Sequence, residues 1–87
     1  MSAITKHAEV NLTHNGAVAV FNLGQSFDEG KSRVEFSGGN SSGPFYTYTY
    51  YWTSASQIYA WVRDGENCWQ GFSGTVTSKC VVQEFKQ

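Results

Sequence analysis

The sequence predicts an all-β domain, a small antiparallel β-sandwich or barrel of six to seven short strands, and three observations carry that expectation. Aromatic residues make up 16% of the chain and Thr, Val, Tyr and Gly crowd it, while one Met and little Leu, Glu or Lys leave helix formers scarce. Apolar and polar side chains alternate over several short runs, the period of a half-buried strand. Glycine- and asparagine-rich turn signals separate those runs at short intervals. With 87 residues the chain makes one domain, 1–87, with room for one core.

The first strand pair is the clearest local signal. Asn15-Gly16 suits a two-residue type I′ turn, where both central positions need positive φ. In that register Leu12 faces Ala19, Val10 faces Phe21 and Ala8 faces Leu23, so one side of the ribbon is apolar throughout. Gly24 to Lys31 reads as a polar connection. Ser32 to Ser37 reads as a short strand with Val34 and Phe36 inward. Gly38 to Pro44 has almost nothing to bury and reads as a surface loop. Phe45 to Thr53 alternates strictly, with Tyr46, Tyr48, Tyr50 and Trp52 on one face and Thr47, Thr49, Tyr51 and Thr53 on the other. Gln57 to Arg63 forms another strand, ended by an Asp64-Gly65 turn that brings Arg63 opposite Glu66. A last hairpin around Ser73-Gly74-Thr75 pairs Phe72 with Val76 and, at its far end, Cys68 with Cys80.

Charge and hydropathy narrow the function. Six Lys and Arg stand against seven Asp and Glu, a net charge of −1 with no basic cluster, which argues against nucleic acid or anionic lipid as partner. The longest apolar run, Ala17 to Phe21, is far short of a membrane span, and the N-terminus lacks the apolar stretch of a signal peptide. The chain as written is expected in the cytoplasm; a trimmed signal would make Met1 an artefact and the protein secreted.

That compartment bears on the cysteines. Placed opposite each other in the last hairpin, Cys68 and Cys80 are close enough for a disulfide if the pair is of the non-hydrogen-bonded type, a bond worth about 3 kcal/mol for so short a loop. The alternative is two reduced, partly buried thiols in a cytosolic protein. No second Cys or His pair stands at ligand spacing, so neither metal nor cofactor is expected.

Candidate catalytic groups are few. His7 and His14 do not converge, Gly-x-Ser-x-Gly is absent, and Asp28-Glu29 and Asp64 fit turn chemistry. Gly38-Gly39 is followed by neither Lys nor a helix, so no phosphate loop is present. A non-enzyme is expected.

What remains is a supply of flat aromatic rings near short polar side chains. Tyr, Thr and Trp are good strand residues and some of these rings must build the core, yet a domain this small cannot bury three Trp and five Tyr completely. An exposed ring flanked by amides and carboxylates suits a neutral sugar, whose C–H face packs on the ring while its hydroxyls bond to the polar groups. The candidate ligand-binding residues are Trp52, Trp69 and Tyr48 for stacking, with Asp64, Asn67 and Asn40 for the hydroxyls. The alternative is a protein-directed defence module, either a protease inhibitor presenting the Gly38 to Pro44 loop or a toxin-like protein presenting its aromatic face.

In size, in lacking a signal peptide, and in the Trp/Tyr-with-Asn/Ser/Gly texture of Tyr46 to Trp52 and Asp64 to Gly74, the chain resembles the small cytosolic lectins of mushrooms, in particular the galactosyl-binding type. The resemblance lies in texture and transfers no binding residue. It implies glycans ending in galactose as partners, no metal, multivalency through a homodimer, and a role in defence or recognition. The sequons Asn11-Leu12-Thr13 and Asn40-Ser41-Ser42 would be silent in the cytosol.

Overall fold

The computed structural model describes residues 3–38, 46–64 and 75–86, the side chain of Asp64 excepted. Among them are six strands: β1 (Ile4–Asn15), β2 (Val18–Asn22), β3 (Ser32–Gly38), β4 (Tyr46–Ser54), β5 (Gln57–Asp64) and β6 (Thr75–Phe85). They form two antiparallel three-stranded sheets, β1-β6-β3 and β2-β5-β4. The sheets stack face to face as a β-sandwich, the all-β class that the alternation indicates. The only helical element among the described residues is a 3-10 turn at Glu29–Lys31, and no described helix is long and apolar enough to cross a membrane.

The sandwich is built from strand alternation. In the first sheet the inward rows are Ala8–Val82–Val34 and Val10–Cys80–Phe36, each reading across β1, β6 and β3. In the second sheet they are Ala19–Ala60 and Phe21–Ile58–Trp52, with Tyr50, opposite Ala60 on the edge strand β4, still 44% exposed. Phe21, Ile58, Val62, Val76, Cys80 and Val82 are 0–1% exposed. Each such side chain contributes about 1.5–3 kcal/mol by leaving water. The two layers meet through aromatic contacts, Phe21 on Phe36 with ring centres 5.7 Å apart.

The expected first hairpin does not form. β1 pairs with β6 and β2 with β5, so β1 and β2 belong to different sheets. Gly16 takes a left-handed φ of 77°, but among the described residues none other than glycine has positive φ, so Asn15 does not complete a type I′ turn. Ala17 already accepts a bond from the Val62 N–H, placing it in the second sheet. Gly16 and Ala17 are therefore a crossover. The reason is length: twelve-residue β1 matches eleven-residue β6, whereas β2 offers five residues. The apolar sides of β1 and β2 that looked like two halves of one ribbon face each other across the core instead.

The polar connection from Gly24 to Lys31 also does more than link strands. Phe27, 4% exposed, closes one end of the core against Trp52, with Leu23 beside it at 6%. Backbone bonds from Leu23 and Phe27 to Ser56 and Ala55 hold the segment down. Asp28 caps the 3-10 turn through the Gly30 N–H at 3.0 Å.

The Cys68–Cys80 pairing is corrected in the same way. Cys80 is a free thiol, fully buried, and its strand is the centre of its sheet, with Val10 on one side and Phe36 on the other. No edge is left there for a strand carrying Cys68, which, with Phe72 and Gly74, lies outside the described residues. So does the Gly65–Glu66 half of the turn expected after Arg63. Burial pushes the Cys80 thiol up to about 12. In the unfolded chain the thiol ionises near 9 while the folded one stays protonated, so between those values stability falls as pH rises, by up to about 1.4 kcal/mol per pH unit. Comparing pH-dependent denaturant melts of Cys68→Ser and Cys68→Ser/Cys80→Ala isolates that slope; the first protein is also expected to resist thiol reagents until it unfolds. Rapid labelling of native Cys80 would contradict its burial.

Candidate functional site

The two outer faces of the sandwich differ in kind. On the first sheet β1, β6 and β3 present rows such as His7–Gln83–Arg33 and Glu9–Val81–Glu35, with Arg33 and Glu35 ion-paired along β3. This is the charged and mixed surface of an ordinary solvated sheet face.

The second sheet presents rings. Its central strand β5 turns Ile58, Ala60 and Val62 inward and so turns Tyr59, Trp61 and Arg63 outward. β2 adds Val18 and Val20 on one flank, and β4 adds Thr49 and Tyr51 on the other. The resulting rows are Val20–Tyr59–Tyr51 and Val18–Trp61–Thr49. Tyr51 is 58% exposed, Val20 38% and Trp61 37%. Tyr51 and Tyr59 stack with ring centres 5.2 Å apart and planes 26° from parallel, a contact that holds the two rings together on this face. The Arg63 guanidinium lies 6.0 Å from the centre of the Trp61 ring, within range of a cation–π contact. Thr49, Tyr50, Tyr51, Tyr59, Trp61 and Arg63 line an open depression of about 310 Å³.

Polar groups bound the platform at the end away from Arg63. Gln57 donates to the Asn22 side-chain oxygen at 2.8 Å and accepts from the Thr53 hydroxyl at 2.8 Å. The amide N–H groups of Asn22 and Gln57 exceed what these bonds use, leaving donors for a ligand. A strip of stacked rings with a guanidinium at one end and two amides at the other can grip a ligand that has both an apolar face and hydroxyls.

Of the residues singled out in the sequence, Tyr48 and Trp52 are not on this face. Tyr48 and Trp52 point inward: Tyr48 stacks on Phe36 at 5.0 Å and 14°, and Trp52 lies 6.4 Å from Phe27. Both pack against the core. Asp64 ends β5 opposite Tyr46; Asn40, Asn67 and Trp69 lie outside the described residues. The rings and charge that do share the outer face, Tyr51, Tyr59, Trp61 and Arg63, were not among those singled out. Their signal was present in β5, where a face of Ile, Ala and Val must take the interior and leave the rings outside.

A second polar cluster sits between the sheets. The Tyr48 hydroxyl donates to Ser78 Oγ at 2.7 Å and reaches the Ser37 carbonyl at 3.3 Å, and Ser78 Oγ lies 3.1 Å from His14 Nε2. A Cβ on Gly38 would collide with the Tyr48 hydroxyl, so glycine is what lets that hydroxyl lie over the backbone. Burial raises the Tyr48 phenol above its ordinary value, a shift the Ser78 bond opposes. A serine beside a histidine has the composition of a nucleophile and base. Here Ser78 is 1% exposed, and His14 Nδ1 has no hydrogen-bond partner among the described residues to orient the ring. The cluster joins β1, β4 and β6 and lacks the access a substrate requires. Among the described residues no three His, Cys, Asp or Glu side chains gather as metal ligands.

No family model matches the chain, and neither the curated proteins nor the solved structures contain a match to it.

Proposed function

We propose that the domain is a carbohydrate-binding protein whose site is the outer face of the second sheet. The observation that supports this reading is exposed Tyr51, stacked on half-buried Tyr59 beside Trp61, on a sandwich whose other face is charged in the ordinary way. Aromatic surface left in water on a sheet that could equally carry Thr and Lys marks a binding surface. A pyranose ring matches such a platform: its C–H face packs on the rings while its hydroxyls reach Arg63, Gln57 and Asn22. The near-neutral chain suits an uncharged ligand, and the resemblance to small mushroom lectins makes terminal galactose the first sugar to test.

A glycan array with the labelled protein, repeated with free sugar as competitor, tests the proposal. Selective signals that the free sugar removes are the expected result. An array blank at about 100 μM protein, a concentration that detects even weak sites, would overturn the carbohydrate reading and leave the face to a protein partner.

A further inference from the structure

Asn15-Gly16 is the only Asn-Gly pair in the chain. The backbone nitrogen that follows an asparagine can attack the side-chain amide carbon, and a side chain on the following residue crowds that approach. Glycine has no Cβ to do so. Asn11 and Asn22, by contrast, each precede leucine. Three features of the fold favour attack at Asn15. The ladder of β1 on β6 ends at the Asn15–Thr75 pair and the ladder of β2 on β5 begins at Val18, so Gly16 belongs to neither. Asn15 is exposed, and apart from the chain neighbours of Gly16 no described atom lies within 4 Å of where a Cβ on that glycine would stand. The Thr75 hydroxyl donates to Asn15 Oδ1 at 2.9 Å, the oxygen on which negative charge develops when the amide carbon is attacked.

We propose that Asn15 is a site of spontaneous deamidation in the folded protein. The Gly16 nitrogen bonds to Asn15 Cγ, the bond from Cγ to the side-chain nitrogen breaks, and that nitrogen leaves as ammonia, taking up the proton Gly16 loses. The product is a five-membered imide joining the Gly16 nitrogen to both Asn15 carbonyls. Water then opens it on one side or the other. Opening at Cγ restores the peptide bond and leaves aspartate; opening at the main-chain carbonyl leaves isoaspartate, in which the chain runs through Cβ and Cγ. Solvent water is the only co-reactant, and nothing is oxidised or reduced.

Both products add one negative charge to a chain whose net charge is −1. Isoaspartate also lengthens the main chain by one carbon, and the crossover has only Gly16 and Ala17 in which to absorb it. The Ala17 carbonyl accepts from the Val62 N–H at 2.6 Å, and Val18 stands opposite Trp61. The added atom therefore presses on the docking of β2 against the strand that carries the outer rings. This modification stands on the crossover geometry and not on the carbohydrate reading.

The test is to age the protein in mildly alkaline buffer, folded and in parallel in urea, and to locate the change by trypsin digestion and fragment-ion mass spectrometry. The tryptic peptide 7–31 carries Asn11, Asn15 and Asn22 together, so the two asparagines that precede leucine are internal controls. The expected result is a gain of about 1 Da at Asn15 in the folded sample, roughly tenfold or more faster than at Asn11 or Asn22. Thr75→Val, which keeps a β-branched strand residue, is expected to slow the reaction severalfold. The isoaspartate product, separated by anion exchange, is expected to melt about 4 °C or more below Asn15→Asp, which carries the same charge on an unaltered backbone. Conversion confined to the urea sample, or equal rates at the three asparagines, would overturn the site. An unchanged rate in Thr75→Val would remove the hydroxyl from the reaction, and equal melting of isoaspartate and Asn15→Asp would overturn the effect on the crossover.

Discussion

Replacing Phe21 with alanine is expected to remove about 3–5 kcal/mol of stability, the usual cost of deleting a fully buried aromatic ring. The ring is 0% exposed, comes from the five-residue strand β2, and touches Phe36 of the opposite sheet, so its loss opens a cavity where the two layers meet. A domain of this length has roughly 5–10 kcal/mol in total, and the variant should be largely unfolded at modest urea concentration. Urea melts followed by far-UV circular dichroism measure this as a lower midpoint at an unchanged slope. A shift below about 1 kcal/mol would mean that Phe21 does not bridge the sheets.

The second large effect belongs to the buried polar cluster. Ser78→Ala is expected to cost about 2–4 kcal/mol, because it leaves His14 Nε2 without its contact and the Tyr48 hydroxyl with only the longer bond to Ser37. Tyr48→Phe should cost less, since Ser78 keeps His14. The double variant should fall well short of the sum, as residues that share a hydrogen bond couple. Additive costs in this cycle would show that Tyr48 and Ser78 act independently. The cluster was not visible in the sequence because its members come from three strands and two sheets. His14 was read beside a hairpin turn, and only the crossover at Gly16 turns its strand toward Ser78.

Strand alternation made the interior legible and strand partnership did not. Ala8, Val10 and Leu12 of β1, Ala19 and Phe21 of β2, and Val34 and Phe36 of β3 all face inward as their spacing indicates. Period-two patterns report which side of a strand is apolar and carry no information about which strand lies alongside. The Asn15-Gly16 pair gave a strong local turn signal, and the long ladder of β1 on β6 outweighed it.

The facing of the β4 rings escaped the sequence for a different reason, a single residue. The two-residue turn at Ala55-Ser56 sets Ser54 opposite Gln57. Continued without interruption, that register would place Trp52 opposite Tyr59, and Tyr48, Tyr50 and Trp52 would share the outer face with Trp61. The extra residue Thr53 shifts the register so that Tyr51 meets Tyr59 and Trp52 meets Ile58. One inserted residue exchanges the two faces of the strand beyond it. The Thr53 hydroxyl bonds to both the backbone and the side chain of Gln57, which ties this irregularity down. The aromatic texture of β4 was therefore readable, and the choice of which rings meet solvent rested on a bulge that composition and alternation do not mark.

The central claim is that the stacked rings outside the second sheet bind ligand and those inside hold the fold. Its most direct test is the Tyr51→Ala/Trp61→Ala double variant, measured both for binding to an array-positive glycan and for thermal stability. Two exposed rings contribute little to the core and about 0.5–1.5 kcal/mol each to a stacked ligand. Binding should fall by about five- to 150-fold, while the melting temperature moves by only about 2–4 °C, the change that less than 1 kcal/mol produces in a domain of this size. Retained affinity would contradict the placement of the site, and a collapse in stability matching the loss of binding would return these rings to the structural framework.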